Sequence, residues 1–256
     1  AKHDREHPDV AQAIADHYSP RFAGDQLPRN PVGLAAALAD KLETMVGIYG
    51  IGLIPTGDKD PFALRRHALG VIRMMIEKGL ELDIKEALNN ASELFKSYPD
   101  FKNSSEGIYG FILDRLRGYL RDQGYSSSEI ESVVSQQPTR FNDLIRRLEA
   151  VRAFSKLDES QALAAANKRI SNILKKSDGA TAALDTALLK ETAEIALAAK
   201  VKAIELQANQ AFESGDFQKS LALLAPLKTE VDAFFDGVMV MDKDEALKNN
   251  RIALLS

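Results

Sequence analysis

The sequence contains no cysteine. Disulfides and thiolate metal sites are therefore excluded, and the composition is compatible with a cytosolic home without requiring one. No apolar run approaches the ~20 residues that a membrane-spanning helix needs, so a cytoplasmic location without membrane attachment is the expectation. The opening residues AKHDREH are charged and carry no signal-peptide pattern. Alternating strand patterns are scarce: GVMVM at 237–241 is the best of them, and it is short and isolated. Internal repeats and low-complexity tracts are absent as well. An initiator Met is missing, and the sequence stops at Ser256 directly after the apolar run RIALL. It therefore reads as a piece taken from a longer chain.

What is present is a 256-residue sequence, 45% hydrophobic and 27% charged, enough for one large or two modest domains with their own cores. Net charge is −4 but unevenly spread: residues 105–176 carry 12 Lys+Arg against 9 Asp+Glu, whereas residues 177–256 carry 8 against 13. A basic centre inside an acidic chain suits a focused polyanion site better than non-specific coating of nucleic acid.

Nearly every strong local signal is helical, and the fold class is all-α. Asn30-Pro31 pairs an N-cap with proline at the first helical position and opens a helix to about Val46. Asp60-Pro61 repeats the device for PFALRRHALGVIRMMIEKG, which Gly79 stops. Asp83 with Glu86, Asp158 with Gln161, and Asp242 with Glu245 have capping-box spacing. The polar, turn-rich YPDFKNSSEG at 98–107 reads as a linker. The expected organisation is a helical piece over 1–80, a connecting helix and linker over 81–104, and a helical bundle over 105–256.

The stretch GIYGIGLIPTGDKDPFALRRHALG, residues 47–70, resembles a ligand loop at first sight. A Walker-type loop would end in Gly-Lys-Ser/Thr before its helix. Here the order is Gly-Asp-Lys-Asp-Pro, and the carboxylates would repel phosphate. Asp58 and Asp60 lack a third oxygen ligand at EF-hand spacing. The helix that follows is apolar nearly all round and therefore buried. Arg66, Arg73 and Glu77 share its one polar strip, either pairing internally or facing a polar partner. Zinc spacing among His7, His17 and His67 is missing, as is a nucleophile elbow. No residue is proposed as catalytic and none as a metal ligand.

Three helices carry candidates for RNA contact. On 159–176, Leu163, Ala166, Ile170, Ile173 and Leu174 form an apolar arc, with Asn167, Lys168, Ser171 and Lys175 beside it and Asn172 at its edge. Lysines hold phosphate, while Asn and Ser can read base edges or 2′-hydroxyls in single-stranded RNA. On 106–124, Arg115 projects into an apolar face between Phe111 and Tyr119. It either pairs with an acidic residue from another helix or lines a base pocket. On 142–156, Arg147 and Arg152 flank the apolar face. FFDGVMVM reads as the hydrophobic seam of the C-terminal bundle, with Asp236 placed to cap or to anchor an arginine.

HYSPRFAGDQLPRNP, LADKLETMVGIYGIGLIPTGDKDPFALRRHALGVIR, LAAANKRISNIL and VDAFFDGVMVMDKDEALKNNRIALL, in that order, resemble the beta subunit of the bacterial two-subunit glycine–tRNA ligase. The resemblance runs through essentially the whole chain. It implies the C-terminal part of that subunit: the end of an HD-type helical domain, then an anticodon-binding domain similar to that of arginyl-tRNA synthetase. Arg152, in AVRAF, falls on a recurring pattern of the family. Asp40 matches the last aspartate of the HD motif, but the motif's other members would lie upstream, so no hydrolase site is expected and Asp40 reads as an internal partner of Lys41 or a hydrogen-bonding group. Also implied are glycine tRNA and the alpha subunit as partners, in a heterotetramer of two alpha and two beta chains. ATP with magnesium would serve the intact ligase, with no cofactor held by this stretch. The alternative from the residues alone is a helical protein-interaction module without RNA specificity.

Overall fold

The computed structural model describes residues 1, 3–177 and 183–256. Among them the chain is helical, and the only β-type pairing is an isolated bridge between Thr56 and Lys59. The helices are α1 (Pro8–Asp16), α2 (Pro31–Gly50), α3 (Leu64–Glu77), α4 (Ile84–Glu93), α5 (Ser105–Asp122), α6 (Ser127–Val134), α7 (Leu144–Phe154), α8 (Ser160–Lys176), α9 (Thr192–Glu213), α10 (Phe217–Leu224), α11 (Lys228–Gly237) and α12 (Glu245–Leu255).

The chain divides into two compact units, Ala1–Leu148 and Glu149–Ser256, so the boundary falls within α7. The sequence had placed it between Gly79 and Ser105, and that expectation is corrected by packing. Helix α5 lies against α2, α3 and α4, and its Ile108, Ile112 and Leu116 are fully buried. Ser105 Oγ and Ser92 Oγ hydrogen-bond at 2.9 Å in the interior. The polar stretch 98–107 is thus a turn between packed helices of one core, and turn chemistry alone cannot tell the two situations apart.

In the first unit, α3 is central. Leu64, Ala68, Val71, Ile72, Met74 and Met75 are all fully buried, as its nearly continuous apolar surface requires. Its polar strip is paired in part: Arg73 donates to Glu77 at 2.7 Å and to the Asp25 carbonyl at 2.8 Å, while Arg66 is exposed. Gly79, at φ +61, ends the helix in the left-handed conformation that glycine tolerates.

The second unit closes around Leu197, Val231, Phe234, Val238, Val240 and Ile252. Within FFDGVMVM the seam is carried by Phe234, Val238 and Val240, while Met239 and Met241 are exposed. Backbone after Gly237 is extended at Val238 but finds no strand partner, so GVMVM leaves α11 as a coil. Among the described residues Asp236 anchors no arginine; Asp242 takes Arg251 at 2.7 Å.

Caps follow the predicted chemistry with shifted positions. Asn30 caps α2 as read; Asp83 caps α4 by accepting from the Lys85 and Glu86 N–H groups, without the return bond from Glu86 that the reciprocal box requires. Ser126 and Glu129 form a reciprocal box at α6. Helix α3 begins at Leu64, not Pro61, because Ala63 adopts φ +55, yet Asp60 still accepts from the Leu64 and Arg65 N–H groups at 2.8 and 3.0 Å. Helix α8 starts after Glu159 without a side-chain cap, and α12 is capped by Asp244, since Asp242 is committed to Arg251.

Candidate nucleic-acid interface

Helix α8 is rich in alanine, leucine and lysine, all good helix formers, and holds no acidic residue. Ala166, Ile173 and Leu174 pack it onto the second unit's core, with contacts to α11 and α12. That seating turns the remaining face outward. Asn167, Lys168, Asn172 and Lys175 are exposed and Ser171 is half-buried. The polar side-chain atoms of these five make no hydrogen bond or ion pair among the described residues. A face of this kind keeps its donors and acceptors for a partner or for water. Part of its charge has a local reason: Lys175 and Lys176 occupy the last turn, where cations offset the helix dipole.

A cleft of about 400 Å³ runs along α8, lined by Ala165, Lys168, Arg169, Asn172, Ile173 and Lys176. Lys168 and Asn172 are shared with the predicted ridge; Arg169 and Lys176 are additions. The cleft is rotated about a quarter turn from the ridge centre, given ~100° per residue. Arg169 lies with its guanidinium carbon 4.0 Å from the centroid of the Phe235 ring on α11. That cation–π contact seats an exposed guanidinium over the ring, and such a group can still stack or hold phosphate. Sequence spacing did not point to Arg169, because Phe235 comes from a helix 66 positions later.

The three remaining predicted residues do not join this face as one constellation. Arg115 is on α5, in the first unit, with its guanidinium 5.9 Å from the Phe111 ring centroid. Its Nε is buried without a hydrogen-bond partner, and no acidic side chain pairs with its guanidinium among the described residues. Arg147, also in the first unit, is held by Asp143 one turn earlier at 2.8 Å. Arg152, in the second unit, is 3.5 Å from Glu149.

The residues that spell HD chemistry stay apart. His3 is fully exposed beside Asp4, and among the described residues no three His, Asp or Glu side chains converge to hold a metal ion. Lys41 forms no ion pair with Asp40; its ammonium turns instead to the backbone carbonyls of His17 and Tyr18.

Comparison with known proteins follows the same division. Residues 1–135 match the family described as glycyl-tRNA synthetase beta subunit, and residues 163–256 match the DALR anticodon binding domain. The glycine–tRNA ligase beta subunit of Ralstonia nicotianae is 56% identical over 255 residues, which is 100% of this chain and 37% of that protein. Those of Dechloromonas aromatica and Janthinobacterium sp. are 56% identical over 257 residues, 100% of this chain and 36% of each relative. The chain thus spans little more than a third of the length of these curated relatives.

Proposed function

The chain belongs to the glycyl-tRNA synthetase beta subunit family, and from that premise we propose that it serves in tRNA recognition, gripping the anticodon arm of glycine tRNA with the outer face of α8. The observation that carries this reading is the unpartnered face of Asn167, Lys168, Asn172 and Lys175 beside the Arg169 cleft, in the stretch matched by an anticodon-binding domain. Lys168, Arg169 and Lys175 would neutralise phosphates and fix the register of the RNA. Asn167, Ser171 and Asn172 would discriminate unstacked bases, because amides and hydroxyls both donate and accept. Arg152 would add charge at the end of α7, and Arg115 and Arg147 would contribute only where RNA reaches the first unit.

The work assigned to this chain is binding and positioning. Glycylation of the tRNA, dependent on ATP and magnesium, would be catalysed with an alpha subunit in a cytoplasmic heterotetramer.

The test is binding of the chain to glycine tRNA and to the same tRNA with a substituted anticodon, over a salt series. The expected result is tighter binding to the unaltered anticodon. Lys168→Glu should weaken binding to both and lower the slope of log K against log salt by about 0.7–0.9, one phosphate contact. Equal affinity for the two RNAs would support a helical protein-interaction module instead.

A further inference from the structure

A second cleft, of about 370 Å³, opens in the first unit between the segment after α1, the middle of α2 and the start of α3. It is lined by Tyr18, Pro20, Arg21, Asp40, Lys41, Ala63, Arg66 and His67, and tRNA recognition by α8 makes no use of it. Its volume falls at the lower end of the roughly 300–1,000 Å³ typical of small-molecule sites.

The centre of the site is Lys41, only 3% exposed. Its stem runs through a channel that exists because position 70 is glycine: a Cβ there would stand 2.9 Å from Lys41 Cε and 3.1 Å from Cδ. The ammonium donates to the carbonyls of His17 and Tyr18 at 3.3 and 3.4 Å, both near the outer limit of a hydrogen bond. An ammonium has three donors, and the third has no acceptor among the described residues. Burial draws the Lys41 pKa down, opposed by the Asp40 charge. A methionine would fill the same channel without the cost of burying a charge; an anion entering the cleft offsets that cost.

The rim supplies complementary groups. Arg66 is exposed, with no carboxylate within ion-pair distance among the described residues. Arg21 is already held by Asp25 at 2.9 Å and contributes little. Asp40 is half-buried and likewise forms no ion pair. A bare anion would suffer from that carboxylate, whereas a ligand with both an anionic group and hydroxyl donors would use it. His67 is half-buried, and burial, then the Lys41 charge, hold its pKa below the usual histidine value. The Tyr18 ring, 64% exposed and 3.9 Å from the His17 ring, gives an aromatic wall on which a base can stack.

We propose that this cleft binds a ribonucleotide, its phosphate between Arg66 and Lys41 and its ribose hydroxyls donating to Asp40. The nucleotide comes either free or as the terminal residue of an RNA chain. The test follows the His67 ring signals of the histidine-labelled 256-residue chain by NMR. Probes are adenosine 5′-monophosphate, its 2′,3′-dideoxy counterpart and the dinucleotide CpA. The first should shift the His67 signals saturably and more tightly than the dideoxy compound. Arg66→Ala, at an exposed position that leaves the fold intact, should weaken it at least about tenfold, the loss of one charge-assisted contact. Asp40→Asn should bring ribo and dideoxy nucleotides to equal affinity, and Lys41→Met should abolish binding. Lys168→Glu should change nothing, which separates this site from the α8 face. Tighter binding of CpA assigns the site to an RNA end, and weaker binding to a free nucleotide. Absence of saturable shifts, indifference to Arg66→Ala, or equal binding of ribo and dideoxy forms in the unaltered chain would overturn the proposal.

Discussion

Glu194 and Arg251 are both almost wholly buried, at 1% and 4% exposure, and face each other in the second unit. Arg251 also donates to Asp242 at 2.7 Å and to the Met239 carbonyl at 2.9 Å. Glu194 accepts from the N–H groups of Lys190 and Glu191 at 2.7 and 2.9 Å. Burial raises the Glu194 pKa, but those N–H groups and the Arg251 guanidinium outweigh it, and the folded value lies below the 4.5 of a free glutamate. The stabilisation is therefore present above that value and is lost as pH falls through the lowered folded pKa. Glu194→Gln should flatten the dependence of Tm on pH in that acid window. Glu194→Ala should cost about 3–5 kcal/mol in urea unfolding, because Arg251 would stay buried with its main partner gone. Neither partner was legible in the sequence: Arg251 lies in a polar stretch of a terminal helix, and its commitment depends on Glu194, 57 positions earlier. The exposure of Lys168 and Asn172 was legible because it follows from helical period alone. Arg169 was not, because its role depends on Phe235 of another helix.

At the scale of the helix, cap chemistry was readable and cap position was not. Asp60-Pro61 announces a helix start, and Asp60 does hold the first free N–H groups of α3. The chain spends Pro61 and Phe62 in a turn and passes through a left-handed Ala63 before the helix begins. One carboxylate thus reaches two N–H groups from four and five residues away. Replacing it removes both acceptors: Asp60→Ala should cost about 1 kcal/mol, lowering Tm by roughly 2–4 °C in a domain of this size. Thermal unfolding checks this, and Asp58→Ala, whose carboxylate caps nothing in α3, should leave Tm within error. The box read at Asp158 is not formed, since α8 starts after Glu159, and the one read at Asp242 failed because that carboxylate is committed to Arg251. Spacing identifies side chains able to cap, and tertiary partners such as Arg251 decide whether they are free to do so.

Over the whole molecule, the basic centre read along the sequence is not one patch. The division after Leu148 cuts it, and each unit then carries a net −2, with 19 Lys+Arg against 21 Asp+Glu in the first and 14 against 16 in the second. Under the proposed function, attraction for RNA would therefore be local, on the outer face of α8. The all-α class was legible because helical periodicity and caps run through nearly every segment. The boundary was not, because only packing shows that α5 shares a core with α3 and α4. Two separate cores also make a prediction about stability. Phe234 is fully buried at the centre of the second unit, and Phe234→Ala should remove about 3–5 kcal/mol there. Amide hydrogen exchange followed by mass spectrometry should accelerate in peptides covering α9, α11 and α12. Peptides from α2, α3 and α5, whose Met45, Met74 and Ile112 belong to the other core, should keep their protection. Equal acceleration in both sets would mean that the chain unfolds as a single cooperative body, and that the division after Leu148 has no energetic counterpart.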